Sequence, residues 1–218
     1  MYLPKHFEQH DAALLHALMR EHPLATLITL GAEGSRAESE VGIHADHVPL
    51  EYDPTQGEHG TLTGHVARAN PLWRRAQGQP VLAVFSGPQT YITPSWYATK
   101  ALTHQVVPTW NYSVVHAHGV LEAIEDGPWL HALVSRLTQH HESPRTEPWA
   151  VSDAPDHFVQ QLLGAIVGIR IPLKQLAGKW KISQNRSAAD RQGVALGLAQ
   201  AGTEAATISR LVQSDPPG

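Results

Sequence analysis

Apolar residues recur at the three- and four-residue spacing of an amphipathic helix in five segments of the chain. Pro23 ends the first of these segments, and Gly202 separates the last two. Both residue types are typical helix stops. We therefore predict helices over residues 11–20, 129–141, 154–163, 188–200 and 203–212.

Short runs rich in β-branched residues, bounded by turn-forming residues, predict about seven strands. The longest run contains Gly119, a residue type that often marks a bulge or bend in a strand. Pro172 ends a later run, Glu33–Gly34 predicts a turn, and residues 53–60 predict a polar loop. The predicted strands cover residues 25–30, 48–52, 61–66, 80–86, 90–93, 107–124 and 165–171, and a last one at 180–183 closes the sheet.

Strands and helices do not alternate strictly along the chain, which argues against a doubly wound parallel sheet. The pattern favours an α+β fold: a mainly antiparallel sheet or small barrel with peripheral helices. Strand patterning gives way to an Ala- and Gly-rich helix after Ser183. We predict a barrel domain over 1–183, a C-terminal helical extension over 184–213 that packs on the barrel or on a partner, and a frayed tail over 214–218.

Composition excludes several classes of site. The chain has 218 residues and no cysteine, which excludes a disulfide framework, a thiolate zinc site and a cysteine nucleophile. It carries 16 Lys and Arg against 20 Asp and Glu, a formal charge of −4. The whole chain therefore lacks the basic footprint of a non-specific nucleic-acid binder.

The N-terminal sequence MYLPKHFEQHD has no basic region followed by an apolar run, so it does not read as a signal peptide. No stretch approaches the about 18 apolar residues of a membrane-spanning helix. We expect a soluble, cytoplasmic protein without a membrane segment.

Aromatic residues cluster on a Pro-rich part of the chain. Tyr91, Trp96, Tyr97, Trp110 and Tyr112 lie within 22 residues of one another. Aromatic side chains on stiff loops form flat walls that suit a planar ring ligand. The alternative is ordinary core and loop packing, which explains such a cluster more often than a binding site does.

A second candidate segment runs from Gly64 to Trp73, where a strand leads through His65, Arg68 and Asn70 into a Pro-Leu-Trp helix start. Backbone N–H groups at a helix start, beside a guanidinium, form a natural phosphate site. The alternative is a plain strand-to-helix connection with a solvated Arg68.

A third segment, residues 179–191, carries four basic residues with Ser, Gln and Asn between them. Lys181 and Arg186 could bind a phosphate or an acidic partner, or Arg186 could pair with Asp190 on a helix surface. Gly193 and Gly197 share a face of the following helix, where glycine lowers stability. Close approach of another backbone is the expected compensation.

Seven long segments together match one known pattern over nearly the whole chain. They are MYLPKHF at the start, ATLITL at 25–30, HVPL at 47–50, TGHVARANPLW at 63–73, TYITPSWYATK at 90–100, VPTWNYSVVHAHG at 107–119 and WKISQNRSAADRQGVALGL at 180–198. With these segments the sequence resembles the PaiB-type family of FMN-binding negative transcriptional regulators. It departs from the family pattern between residues 33 and 46.

The resemblance implies a split β-barrel shared with pyridoxamine-phosphate-oxidase-like flavoproteins, and a homodimer with FMN in the cleft between its subunits. It implies phosphate recognition on the Gly64–Asn70 loop, with Arg68 as the cation, and the flavin ring near the aromatic cluster. The last group of ligands is expected from the partner subunit. The expected FMN contacts are Gly64, His65, Val66, Arg68, Asn70, Trp96, Tyr97, Trp110, Lys181, Ser183, Gln184 and Arg186.

Two functions stay open on the sequence. The family resemblance favours a transcriptional regulator, although the helix pair within 194–213 only faintly resembles a helix-turn-helix, because its second helix carries Arg210 as its one basic residue. The alternative is an FMN-dependent oxidoreductase acting on a small molecule, with His65, His116 and His118 as pocket candidates. The pairs His44/His47 and His140/His141 match metal-ligand spacings, but 15 dispersed histidines produce such spacings by chance, and we predict no metal site.

Overall fold

The computed structural model describes residues 1–31, 42–201 and 203–213. The turn predicted at Glu33–Gly34 and the tail predicted over 214–218 lie outside the described residues. In the described part, no helix is long and apolar enough to cross a membrane.

Nine strands form one sheet in the described residues, where the sequence predicts seven strands and a last one that closes the sheet. The order β3-β2-β6-β7-β9-β5-β4 runs from edge to edge without closing, and β1 and β8 pair with β9 outside that path. The strands are β1 (Glu8–Gln9), β2 (Leu24–Leu30), β3 (Ile43–Pro49), β4 (Glu51–Asp53), β5 (Thr61–Ala67), β6 (Pro80–Ile92), β7 (Thr109–Val120), β8 (Glu122–Ile124) and β9 (Ile166–Lys181).

Seven α-helices accompany the sheet in the described residues, with three short 3-10 helices at Lys5–Phe7, Pro94–Trp96 and Val151–Asp153. The α-helices are α1 (Ala12–Glu21), α2 (Leu72–Arg75), α3 (Ala98–Thr103), α4 (Gly127–Glu142), α5 (Asp156–Gly164), α6 (Ala188–Ala199) and α7 (Thr203–Gln213). All five helices predicted from apolar spacing are present within a few residues of the predicted bounds. Because β1 pairs with β9, β2 with β3 and β6, and β5 with β4 and β9 in antiparallel register, the α+β, mainly antiparallel prediction is confirmed.

Several predicted strands differ from the structure in their bounds. The strand predicted over 48–52 is divided between the end of β3 and β4. β6 joins the strands predicted over 80–86 and 90–93. β9 continues to Lys181 through Pro172, the residue at which the sequence predicts that the strand ends. Pro172 lies opposite Thr61, the first residue of β5, and the next residue, Leu173, donates to the carbonyl of Gly60, so the hydrogen bonding of β9 continues past the proline. The strand predicted over 107–124 breaks at Leu121, whose backbone bonds to Gly78 and Gln79 instead of continuing the ladder.

Contacts divide the chain into two compact units, each built from separate stretches. The first unit comprises residues 1–22, 85–116 and 177–218, and the second comprises 23–84 and 117–176. Met19, Phe85, Ile92, Val194 and Leu198 are fully buried in the first unit. The second unit buries Leu27, Leu50, Leu62, Leu130, Leu133, Ile169 and Ile171. The long strands β6, β7 and β9 contribute residues to both.

In the second unit, strand β9 packs closely against helix α4 at Gly168. A Cβ atom at Gly168 would lie 2.2 Å from the ring of Trp129 in the first turn of α4. Since an indole ring is rigid and anchored in a helix, it cannot give way cheaply. The helix therefore packs on this strand through the missing side chain.

We expect Gly168→Ala to lower the free energy of unfolding by about 1–3 kcal/mol, the usual cost of overpacking. The matched control is Gly164→Ala at the end of α5, where a Cβ would meet nothing within 4 Å; it should be neutral or slightly stabilising. Denaturant unfolding of both variants measures the difference. Equal stability of Gly168→Ala and the unmutated chain would contradict the packing of Trp129.

Candidate functional site

The first unit gathers seven of the twelve predicted FMN contacts. These seven come from two parts of the chain that the sequence analysis assigns to different subunits, and in the structure they contact one another within one chain. They are Trp96, Tyr97, Trp110, Lys181, Ser183, Gln184 and Arg186.

Hydrogen bonds hold the turn that carries Trp96 and Tyr97 at both of its ends. Thr93 accepts a hydrogen bond from the backbone N of Ser95 at 3.2 Å. Beyond the turn, the carboxylate of Asp190 in α6 accepts two bonds from Thr99, one from its backbone N and one from its hydroxyl, both at 2.8 Å. The turn is thus tied to the first turn of α6.

Asp190 accepts these hydrogen bonds as an ionised carboxylate. Burial alone would raise its pKa, but the hydrogen bonds from Thr99 and from Ser187 outweigh burial, so the pKa lies below its ordinary value. The Arg186–Asp190 ion pair that the sequence allows is absent from the described residues. Arg186 is therefore left for other contacts.

The two glycines of α6 form a notch that receives Trp96. A Cβ at Gly193 would lie 2.0 Å from the carbonyl oxygen of Trp96, and a Cβ at Gly197 would lie 2.4 Å from its indole ring. The close backbone approach expected from these glycines is confirmed. They allow the aromatic turn to sit directly against the helix.

Arg186 stacks on Tyr97. Its guanidinium carbon lies 4.7 Å from the centre of the Tyr97 ring, within the range of a cation–π interaction. Burial raises the pKa of the Tyr97 phenol, although the charge of Arg186 opposes this. The phenol is therefore neutral at physiological pH, and the pair presents a cation beside an aromatic ring.

Lys181 brings a second cation to the same unit. Its ammonium donates to the hydroxyl of Thr109 and, at 3.0 Å, to the carbonyl of Trp110. Burial lowers the pKa of Lys181, and the charges of Lys179 and Arg186 lower it further, while Tyr112 acts in the opposite direction. Three cations thus repel one another here, and a bound anion would relieve that repulsion.

Ser183 and Gln184 shape the turn between these cations. Ser183 has a positive φ of 70°, and its hydroxyl accepts from the side-chain amide of Asn111 at 3.0 Å. The amide of Gln184 accepts from the backbone N of Ile182 at 2.8 Å and donates to the carbonyl of Trp180. Both side chains hold the backbone that positions Lys181 and Arg186.

An exposed aromatic surface completes the first unit. Trp110 and Tyr91 are each about half exposed, and their rings meet edge to face with centres 6.3 Å apart. The indole N–H of Trp110 donates to Gln89 at 3.2 Å. Tyr91 belongs to the predicted aromatic cluster, but neither it nor Gln89 was among the predicted contacts; their alternation with buried residues along β6 is the pattern that could have found them.

The residues of the first unit fit FMN in chemical type. The cofactor needs a flat aromatic wall for its ring and cations for its phosphate. Neither Lys181 nor Arg186 forms an ion pair with a carboxylate in the described residues. Lys181 and Arg186 supply the cations and Trp110 supplies an exposed ring, whereas Tyr97 is only 3% exposed and lies beneath Arg186.

The other five predicted contacts lie in the second unit, where Arg68 is already engaged. Its guanidinium pairs with the carboxylate of Glu125. It also donates to the carbonyl of Gly164 at 2.8 Å and to that of Ile166 at 3.2 Å. These bonds fix the segment before β9, so a phosphate would have to share the guanidinium with them.

Asn70 belongs to a polar cluster that includes Arg75, a residue the sequence analysis does not single out. The Asn70 amide donates to Asp46 at 3.1 Å and accepts from the backbone N of Leu72 at 2.9 Å. Arg75 donates to Asp46 at 3.2 Å and to Thr29 at 3.3 Å. Its buried Nε has no partner in the described part of the chain.

The remaining three predicted contacts lie on β5. Val66 is buried, and a Cβ at Gly64 would lie 2.7 Å from the carbonyl of Pro49, so both positions belong to strand packing. The imidazole of His65 is partly buried, which lowers its pKa. Its Nδ1 is shielded and has no partner in the residues that the structure describes.

Comparison with known proteins gives matches over most of the chain. A family model described as "Putative FMN-binding domain" matches residues 1–175. An uncharacterized protein of Aspergillus fumigatus is 35% identical over 246 residues, covering 94% of this chain and 93% of the relative. The "Protease synthase and sporulation protein PAI 2" of Bacillus subtilis is 31% identical over 195 residues, covering 89% of this chain and 87% of the relative.

Among solved structures, the flavocytochrome Anf3 from Azotobacter vinelandii aligns with a TM-score of 0.52 and 14% identity. The alignment covers 82% of this chain and 72% of the flavocytochrome. The likeness is one of fold, and it agrees with the split-barrel prediction.

We expect Gly193→Ala to lower the free energy of unfolding by about 1–3 kcal/mol, because the new methyl overlaps the Trp96 carbonyl. Helix propensity alone predicts the opposite sign, a gain of about 1 kcal/mol for Gly to Ala. Denaturant unfolding decides between them, with Gln192→Ala on the exposed face of α6 as control. A stabilised Gly193→Ala variant would show that α6 does not receive Trp96.

Proposed function

The chain belongs to the PaiB-type FMN-binding family, and on that premise we propose that it is an FMN-binding negative transcriptional regulator that acts as a cytoplasmic homodimer. FMN is the family's cofactor, and its ring system takes up and returns electrons when bound. In this proposal one FMN lies in each cleft between subunits. A chain of the split-barrel fold would thus place parts of two copies around each cofactor.

One observation carries the FMN site: Lys181 donates to the backbone carbonyl of Trp110, Arg186 lies over the ring of Tyr97, and neither cation forms an ion pair with a carboxylate in the described residues. In the proposed site the two cations bind the anionic end of FMN, and Trp96, Tyr97 and Trp110 form the wall for its ring. Ser183 and Gln184 act by holding the turn between the cations.

In this proposal the second unit contains a further candidate binding site for the phosphate of FMN. Arg68 and Asn70 lie on the segment between β5 and α2 that the family resemblance assigns to phosphate recognition, with Gly64 and Val66 behind them in β5. The Arg68–Glu125 pair is about half exposed, so it gains little from Coulomb attraction in water and can be shared with a phosphate.

The regulatory output, as we propose it, does not run through direct reading of DNA by α7. Arg210 is the basic residue of that helix, and it donates to Thr207 of the same helix. The chain has an overall charge of −4, which opposes binding to a polyanion. A protein partner is the favoured route. The name of the Bacillus subtilis relative, a protease synthase and sporulation protein, supports a regulatory setting.

A second candidate function is an FMN-dependent oxidoreductase acting on a small molecule. The exposed rings of Tyr91 and Trp110 favour it, since the exposed face of an aromatic ring can stack a planar substrate. The fold likeness to a flavocytochrome supports a redox setting. Reduction of bound FMN by NAD(P)H, with turnover of a supplied electron acceptor, would favour this function over regulation.

We expect Arg186→Ala to weaken FMN binding about 10–100-fold, the loss of one charge-assisted contact of about 1.5–3 kcal/mol. Quenching of FMN fluorescence during titration of flavin-free protein measures the dissociation constant. Arg145→Ala is the matched control, because it removes the same charge from an exposed surface pair with Glu142 and should leave the constant unchanged.

The same titration tests the rest of the proposed site. Arg68→Ala should also weaken binding, and unchanged affinity would remove its phosphate role. Light scattering of the FMN-loaded protein should give the mass of two chains. Saturable FMN binding by a monomer, or equal affinity in Arg186→Ala, would contradict the proposed interface site.

We expect no shift of promoter DNA in a mobility-shift assay with the FMN-loaded protein at low salt, because the helix pair lacks a basic reading surface. Lysozyme, a basic protein, serves as the positive control for salt-sensitive shifts. Sequence-dependent binding that weakens with salt would show direct readout and overturn the partner route.

A further inference from the structure

The second unit contains an apolar pocket that the proposed function does not use. It has a volume of 320 Å³ and lies between α4, the segment before α5, α5 itself and the start of β9. Its walls include Val134, Trp149, Phe158, Leu162 and Ile166, and His65 of β5 also lines it. We call it the α4–α5 pocket.

The mouth of the pocket exposes large apolar side chains. Trp149, Phe158 and Leu162 each leave about half of their surface accessible. Contiguous exposed apolar surface raises the free energy of a protein in water and commonly marks a binding site. The three side chains could bury that surface against a ligand placed between them.

No side chain of Lys, Arg, Asp or Glu lines this pocket. A charged ligand would lose its hydration there without gaining a partner charge, which is costly. FMN, with its phosphate, is therefore a poor occupant. The pocket differs in chemical type from the cation-rich site of the first unit.

His65 is the one titratable side chain on the pocket wall. Its pKa lies below the ordinary value because of burial, so the ring is neutral at physiological pH. Nδ1 is shielded without a partner in the described residues. Because Nδ1 is closed to solvent, a ligand can reach only the other ring nitrogen, Nε2, which in a neutral imidazole can make one hydrogen bond as donor or acceptor.

We propose that the α4–α5 pocket binds a small, uncharged aromatic molecule that carries one hydrogen-bonding group. The ring packs between Trp149, Phe158 and Leu162, and the polar group bonds to His65. The volume lies near the lower end of ligand pockets, about 300–1,000 Å³, which suits two fused rings better than a nucleotide. This assignment separates His65 from the FMN contacts predicted for it.

The test uses the full chain loaded with FMN and three probes of one shape: 2-naphthol, naphthalene and 2-naphthalenesulfonate. Titration followed by ligand-observed NMR gives each dissociation constant. We expect 2-naphthol to bind about 2–10-fold more tightly than naphthalene, the contribution of one net hydrogen bond. The sulfonate should bind at least about 10-fold more weakly than naphthalene, because its charge finds no partner.

Two variants locate the binding. Val159→Trp fills the pocket from α5 and should abolish binding of both neutral probes. Gln160→Trp adds the same ring on the exposed side of α5 and should leave binding intact. His65→Phe should remove the preference for 2-naphthol over naphthalene while both still bind. Melting temperatures verify that each variant is folded.

Several outcomes would overturn the proposal. One is the absence of saturable 2-naphthol binding, and another is equal binding by Val159→Trp and the unmutated chain. Competition between 2-naphthol and FMN would assign the probe to the cofactor site. Binding only when the dimer dissociates, as judged by light scattering, would show that a second copy of the chain covers the pocket.

Discussion

Hydrogen bonding along β9 is the constraint on which both units depend. This one strand pairs with β1, β5, β7 and β8, and it runs from the core of one unit to the cation cluster of the other. Its inward residues Ile169 and Ile171 are fully buried, whereas Lys179 and Lys181 near its end carry charge. A single ladder thus fixes the register of a hydrophobic core and of the candidate FMN ligands.

Bringing several cations together raises the free energy of the candidate site through their mutual repulsion. Contacts with the surrounding residues partly offset this repulsion. Lys179 lies within 5.4 Å of the centre of the Tyr112 ring and donates to the carbonyl of Tyr2. Lys181 donates to a hydroxyl and a carbonyl, and Arg186 rests on Tyr97. These neutral partners hydrogen-bond or stack with each cation without neutralising it. The carboxylate of Asp190 also attracts Arg186, although the two form no ion pair. Three cations near one carboxylate leave positive charge for an anionic ligand.

Local patterns were sufficient to predict five of the seven α-helices in the described residues and most strands. They could not predict which residues meet. The packing of Trp96 into the α6 notch joins positions about a hundred residues apart, and apolar spacing carries no information about such contacts. The same holds for Arg68, whose partner Glu125 lies 57 residues away. The predicted strand end at Pro172 was wrong because Leu173 finds a hydrogen-bond acceptor in Gly60, a partner that is distant in the sequence.

The length of β9 also affects where a domain boundary can be drawn in this family. The family model ends at residue 175, inside a strand that continues to Lys181. A chain cut at that boundary would lose the partner of β1, the turn at Ser183 and the helix that seats Trp96. A truncation at residue 175 would therefore remove Lys181 and Arg186 and leave Trp96, Tyr97 and Trp110 without the residues that they contact.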